Sequence, residues 1–336
     1  MTEPLITGSF FDMMHVNPWD AQYWTDTCRF WGEESWRALF RQMHAVGIDT
    51  AICGATVYWG RPTFPGYEKT VGRQIRMGCP DPLGACVDEA DRLGMKMFFG
   101  IGLRGRCSQV RDYHNLQKPW PDSWFRYNTC VAEALVDRYG KRPCFGGLYI
   151  SYEIDFHDHH VELYERLMKK FMRPAVGDVP FLASPGNIGR EVHDLSSLSR
   201  KVERTGIDIL APQDYGGRNN DPNAALKLVE QNCNGLKHVA KSLRDMGVKL
   251  WSNCEAFKFE GLPDGRGACI PGQSDRFIKQ IEMQAPLVDK LLCYQYQGLF
   301  NRRTKLVDIG HPTVDKMHDD YVAYLAKTFP ERFKNG

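Results

Sequence analysis

The chain has 336 residues, of which 43% are hydrophobic and 12% aromatic, with 43 Lys and Arg against 41 Asp and Glu. Near-neutral charge without a basic stripe argues against nucleic acid as a partner, and no apolar run reaches the ~20 residues of a membrane span. Eleven cysteines are scattered without CxxC pairs or zinc spacing, which predicts free thiols in a reducing compartment; with no basic, apolar leader after Met1, a cytoplasmic location is expected.

In chain order, Leu5 to Phe11 is an apolar run ending at Asp12 and reads as strand one. An aromatic loop with His15, Trp19, Trp24 and Trp31 leads to a helix over Glu34 to Val46, stopped by Gly47. Ile48 to Cys53 is strand two; its loop carries Tyr58, Trp59, Arg61 and Arg73. Asp81-Pro82 places a cap and a first-turn proline before a helix that ends at Gly94. Met95 to Ile101 is strand three, followed by Arg104 and a loop to Trp120. A helix from Pro121-Asp122-Ser123 to Tyr139 leads to strand four, Gly147 to Tyr152, which runs straight into Glu153.

The second half repeats the alternation. Val161 to Met172 is helical, Pro180 to Ser184 is strand five ending at Asn187, and Leu195 to Arg204 is a short helix. Strand six is Ile207 to Pro212, ending in Gln213-Asp214-Tyr215-Gly216-Gly217. Asp221-Pro222 opens the next helix, and strand seven from Lys249 ends at Asn253-Cys254-Glu255. A Gly- and Pro-rich loop over Gly261 to Gly272 has the composition of a lid. A helix over Ser274 to Val288, strand eight over Leu291 to Tyr296 and a closing helix over Thr313 to Phe329 complete the chain.

Eight strand-then-helix units, with nearly continuous apolar strands, predict parallel strands buried on both faces. The expectation is one (β/α)₈ barrel spanning residues 1–336, an α/β fold. A doubly wound sheet would need a Gly-rich phosphate loop after strand one, and Thr7-Gly8-Ser9-Phe10 is not one. In such barrels the chemistry sits at the C-terminal strand ends, where this chain gathers Asp12, Arg104, Glu153, Asn187, Tyr215, Asn253, Glu255 and Tyr294.

Two carboxylates at opposing strand ends suit glycoside chemistry: one donates a proton to the leaving oxygen, the other attacks or activates water, so their pKa values must be pushed apart. Tyr152 and Phe156 provide a drier setting for Glu153, and hydrogen bonds from Tyr215 and Asn253 are expected to keep Glu255 charged. Alternation along strand four turns Tyr149, Ser151 and Glu153 into the barrel mouth and Leu148 and Ile150 outward.

The order of a Glu ending strand four, a Tyr ending strand six and a Glu ending strand seven resembles the clan A, or "4/7", superfamily of glycoside hydrolases. That resemblance implies Glu153 as acid/base, Glu255 as nucleophile, Tyr215 as its hydrogen-bond partner, and Tyr294 or Tyr296 as the aromatic floor of the sugar site. The superfamily carries Asn before the strand-four Glu, where it binds the sugar 2-hydroxyl; this chain has Tyr152, with Asn187 as the substitute. Asp12 is a candidate acceptor for sugar hydroxyls, Arg104 a substrate clamp, and Trp19 and Trp59 stacking platforms.

The reading is a retaining glycoside hydrolase that binds carbohydrate without metal or cofactor. A metal-dependent sugar isomerase is the alternative suggested by Asp155-Phe156-His157-Asp158-His159-His160 beside Glu153; a non-catalytic carbohydrate-binding barrel is the third.

Overall fold

The computed structural model describes residues 2–15, 17–101, 122–152, 156–192, 194–261 and 267–333. The barrel strands are β1 (Gly8–Phe11), β2 (Thr50–Cys53), β3 (Lys96–Gly100) and β4 (Phe145–Ile150), then β5 (Phe181–Ala183), β6 (Ile209–Leu210), β7 (Lys249–Glu255) and β8 (Lys290–Tyr294). They pair in parallel with sequential neighbours, and β1 closes the barrel on β8 through Gly8 opposite Leu292 and Ser9 opposite Cys293. The (β/α)₈ architecture expected from the alternation is the observed one.

The longer helices are α1 (Glu33–Ala45), α2 (Pro82–Leu93), α3 (Asp122–Tyr139), α4 (Asp158–Leu167), α5 (Leu195–Thr205), α6 (Pro222–Asp245), α7 (Ser274–Gln284) and α8 (Val314–Thr328). Their ends follow the local chemistry. The Asp81 side chain accepts from the Gly84 N–H before Pro82, and Asp221 accepts from Asn223 and Ala224 before Pro222. Gly94 and Gly206 stop α2 and α5 in the left-handed conformation. No helix among the described residues is long and apolar enough to cross a membrane.

Alternation sorts each strand into two cores. Phe10, Ile52, Phe98, Tyr149, Leu182, Ile209, Trp251 and Leu292, one from each strand, fill the barrel interior. Their neighbours Phe11, Cys53, Phe99, Leu148, Ile150, Leu210, Leu250 and Cys293 pack outward against the helices. Fully burying a side chain of this kind contributes about 1.5–3 kcal/mol.

Two segments depart from the sequence expectation. β6 is two residues long rather than six; at its C-terminal end Pro212 has no N–H for the ladder. Pairing resumes beyond it, where Gln213 lies opposite Asn253. The stretch after β7 is not an open loop. Phe257–Phe259 and Cys269–Pro271 form an antiparallel hairpin, tied to the loop after β1 by the Cys269 N–H donating to the Asp20 carbonyl. Residues 262–266 of the expected lid lie outside the described residues.

Candidate active site

β7 carries the central group. Trp251 faces the barrel interior, so Asn253 and Glu255 face the same way, one and two steps nearer the mouth. Glu255 is only 3% exposed. Its Oε2 accepts the Gly217 N–H at 2.9 Å, and its own N–H donates to Asp214 Oδ1 at 3.1 Å. Burial pushes its pKa up to about 8; the Arg218 charge opposes this, Asp214 adds to it, and the Gly217 N–H and Arg276 pull it back.

The turn after β6 is built to meet Glu255. Asp214 is fully buried and its carboxylate accepts four donors. Oδ1 takes the N–H groups of Gly216 (2.9 Å) and Glu255, and Oδ2 takes the amides of Gln280 (2.7 Å) and Gln284 (2.9 Å) on α7. Burial raises the Asp214 pKa, while those donors oppose the shift. Arg276, one turn before Gln280, is 1% exposed; it donates to the carbonyls of Gly216, Phe257 (2.8 Å) and Glu255 (3.3 Å). A side chain at Gly216 would strike the Gln280 amide, and one at Gly217 the Phe257 ring, so the close approach of this turn requires glycine. Tyr215, at φ 62°, makes the bend. That conformation costs a bulky residue about 1–2 kcal/mol. Its hydroxyl donates to Glu191, and the Arg218 guanidinium sits 4.0 Å from its ring centre.

The β1–β8 side is arranged differently. The Asp12 N–H donates to Gln297 Oε1 (2.7 Å), and Gln297 Nε2 donates back to the Asp12 carbonyl (3.0 Å). The Asp12 side chain, 7% exposed, lies against Gly54 with Oδ2 4.0 Å from His15 Nε2. His15 Nε2 also meets the Tyr294 hydroxyl at 2.7 Å, and its Nδ1 lies 2.7 Å from the Asn17 carbonyl. Burial raises the Asp12 pKa, countered by His15 and Tyr294.

Glu255, Asn253, Asp12 and Tyr294 therefore lie at one end of the barrel, where β7, β1 and β8 finish, with Tyr294 opposite Glu255 in register. Glu153 and Arg104 lie outside the described residues. Other expected site residues are placed elsewhere. The Tyr215 hydroxyl serves Glu191 rather than Glu255, and Asn253 Nδ2 donates to Ser184 Oγ at 3.2 Å, so neither bonds the Glu255 carboxylate. Burial drives Glu255 toward the protonated form instead of the charged form expected. Tyr152 is turned away from the mouth: its ring packs 4.7 Å from Trp124 of α3 and its hydroxyl accepts the Trp124 indole N–H at 3.1 Å.

Asn187 is also committed. It caps the short turn Ile188–Glu191, its amide donates to the carbonyls of Asp214 (3.0 Å) and Leu228 (2.8 Å), and it is fully buried. Tyr296 is fully buried in the outer core beside His318 and Phe300, so Tyr294 alone is the strand-eight aromatic at the mouth. Trp59 sits at φ 50° and 42% exposure in the small hairpin Val57–Pro62, and Trp19 is 75% exposed. Among the described residues no three His, Cys, Asp or Glu side chains converge to hold a metal ion.

Sequence reasoning passed over Asp214, Glu191 and the α7 residues. A signal existed for the last: Arg276, Gln280 and Gln284 recur every four residues beside the buried Phe277 and Ile281, a polar stripe on the face that meets the barrel. Glu191 has no such signal, since its role depends on where Tyr215 points.

A family model described as a domain of unknown function, DUF4434, matches residues 6–304. The chain belongs to this family. No curated protein matches it. Its fold is that of the TIM-barrel glycoside hydrolases. A Bacteroides thetaiotaomicron protein assigned provisionally as an alpha-L-fucosidase aligns at TM-score 0.66 and 20% identity, over 95% of each chain. A family 5 mannosidase from Rhizomucor miehei aligns at 0.51 and 13%, over 98% of this chain and 95% of its own. A family 39 glycoside hydrolase from Bacteroides cellulosilyticus aligns at 0.55 and 11%, over 92% of this chain and 60% of its own.

Proposed function

We propose that this DUF4434 chain is a glycoside hydrolase that cleaves an O-glycosidic bond by retaining double displacement. Glu255 is the nucleophile and Glu153 the acid/base in this reading. The observation that carries it is Glu255 itself: an inward-facing, buried carboxyl at the end of the seventh barrel strand, aimed by the Gly217 N–H and opposite Tyr294 of β8. The fold shared with glycoside hydrolases supports it. Tyr215 enters as a positioning residue, since its bend presents the Gly216 and Gly217 N–H groups to Asp214 and Glu255. The free cysteines among the described residues suit a cytoplasmic setting.

The Glu255 environment gives the chemistry a sign. A nucleophile must be ionised, and among the described residues the Gly217 N–H and the Arg218 and Arg276 charges favour that form. The reading requires the Glu153 and Glu255 carboxyl groups to stand ~5–5.5 Å apart, against ~6.5–9.5 Å for inversion.

The test is hydrolysis of a panel of aryl glycosides by the wild type, Glu255→Gln and Glu153→Gln. Either amide should lower kcat by roughly 10³-fold or more with cooperative unfolding intact, and the first-formed sugar should keep its anomeric configuration by NMR. Unchanged turnover in Glu255→Gln removes the assignment.

A further inference from the structure

Three side chains at and just beyond the ends of β1 and β8 are joined in a way that the two-glutamate chemistry does not use. His15 Nε2 meets the Tyr294 hydroxyl at 2.7 Å, and the same nitrogen stands 4.0 Å from Asp12 Oδ2. The Tyr294 hydroxyl is also a hydrogen-bond partner of the Asp12 carboxyl, so it links the two. The other nitrogen of the His15 ring is equally well met. Its Nδ1 lies 2.7 Å from the Asn17 carbonyl and 3.0 Å from the Asn17 N, an acceptor and a donor side by side. Polar partners on both nitrogens set the orientation of the ring, while the Asn17 backbone suits either neutral tautomer and the doubly protonated form. The tyrosine ring is held as well, with Phe10 at 6.0 Å and Phe257 at 6.1 Å between ring centres.

This arrangement permits two states of equal charge with no heavy atom displaced. In one, Asp12 is ionised: the Nε2–H of an imidazolium donates to Tyr294 Oη, and the Tyr294 O–H donates to the carboxylate. In the other, the Nε2–H bond has broken and its proton is on Oη, while the proton that Oη held is on Asp12. The neutral ring then accepts from the hydroxyl, and its Nδ1–H donates to the Asn17 carbonyl. Tyr294 passes a proton across and remains a neutral phenol, which matters because a phenolate ordinarily forms only near about pH 10. Cys28, Cys53 and Tyr58 also stand near Asp12; burial raises all three, so they stay uncharged. The Trp24 ring, edge-on to His15, brings no charge. Glu255, opposite Tyr294 in register, is a further carboxyl at this end of the barrel.

We infer that His15, Tyr294 and Asp12 are one acid–base unit, a relay that shares a proton between the imidazole and the carboxyl through the tyrosine hydroxyl. It gives the end of β8 a proton donor and acceptor separate from the glutamate pair, and it makes Tyr294 more than an aromatic surface, since the hydroxyl can hand over a proton and be refilled from behind. The inference does not rest on glycoside cleavage, and its test needs no substrate.

The full chain is labelled with ring-13C histidine and titrated by NMR, His15 being assigned from the signal lost in His15→Gln. Asp12→Asn removes the carboxylate at the far end of the relay and should lower the His15 titration midpoint by at least about 0.5 pH unit. In a Tyr294→Phe background the same substitution should move that midpoint by less than half as much, because the link is gone. Repeating the cycle in Glu255→Gln removes the neighbouring carboxyl and should leave the difference in place. Where Asp12→Asn does not unfold cooperatively, the reciprocal measurement replaces it: with 13C-carboxyl aspartate, His15→Gln should raise the Asp12 midpoint by at least about 0.5 pH unit, and by less than half as much alongside Tyr294→Phe. The relay is overturned if the first shift is smaller than about 0.5 pH unit, or if Tyr294→Phe leaves half or more of it. The latter result would make the coupling a charge attraction across 4.0 Å and nothing more. Absence of the coupling would leave the catalytic proposal standing, and absence of glycoside hydrolysis would leave the relay standing.

Discussion

The two sides of the barrel mouth each hold a buried aspartate, and the two are finished differently. Asp214 has four donors on two oxygens, drawn from its own turn, from β7 and from α7. Asp12 has one oxygen against Gly54 and, in place of four donors, the Tyr294 hydroxyl and the His15 ring beside its carboxyl. A saturated buried carboxylate fixes the backbone around it and has no capacity left for a ligand. One with fewer donors is held less tightly. Residue type and burial are the same, so it is the partner count that separates a group that positions Glu255 from one that faces whatever enters the mouth.

Substituting each aspartate by alanine tests that difference most strongly. Asp214→Ala strips the partner from two amide side chains and two backbone N–H groups and leaves the Arg276 charge buried with less compensation. It should cost about 3–5 kcal/mol in urea unfolding. Asp12→Ala removes a buried carboxyl with fewer partners than Asp214, so it should change stability by less than about 1 kcal/mol while it weakens sugar binding. Equal stability losses would erase the distinction.

pH sharpens it further. The Glu255 carboxyl titrates from an ordinary value of 4.5 up to about 8 in the folded protein. The folded state therefore holds a proton that the unfolded chain releases between these values. The associated stability is fully present below about pH 4.5 and is lost as pH rises through about 8. Asp12 and Asp214, both raised by burial, act in the same direction. Glu255→Gln should remove the part of that slope that extends to the highest pH, measured by urea unfolding at several pH values. If Glu255 is the nucleophile, kcat/KM must rise with pH toward about 8, because only the ionised form attacks. An acidic limb near 4.5 would mean that substrate or Glu153 resets the site, or that Glu255 does not attack.

The barrel was legible in the sequence because each strand is a short apolar run and each helix carries its own punctuation: Asp81-Pro82, Asp221-Pro222, Gly94 and Gly206 all cap as their residue types predict. The position of Glu255 was legible for the same reason, since period-two alternation from Trp251 decides which way it faces. Its partners were not. Whether the Tyr215 hydroxyl meets Glu255 or Glu191 depends on a positive φ that nothing in the local sequence announces for a tyrosine. Asn187 looked like a free amide at a strand end, but a turn begins there, and the cap and two carbonyls hold its fully buried side chain. Alternation could have settled Tyr152: its even-numbered neighbours Leu148 and Ile150 face the helices, and so does it.

Tyr152 gives the smallest expected effect and the clearest reading of the departure from the clan A pattern. In that pattern an asparagine precedes the acid/base and contacts the sugar; here the preceding side chain is sealed against α3 at 3% exposure, between the Trp124 indole and Asn128. Tyr152→Phe deletes one hydroxyl and leaves the indole N–H without that acceptor, which should cost about 1 kcal/mol of stability. Because the ring stays packed and no polar atom at the mouth changes, KM and the affinity for neutral glycosides should stay within twofold. A loss of affinity larger than the loss of stability would mean that this tyrosine reaches the substrate after all, and that the β4 strand end turns inward on binding.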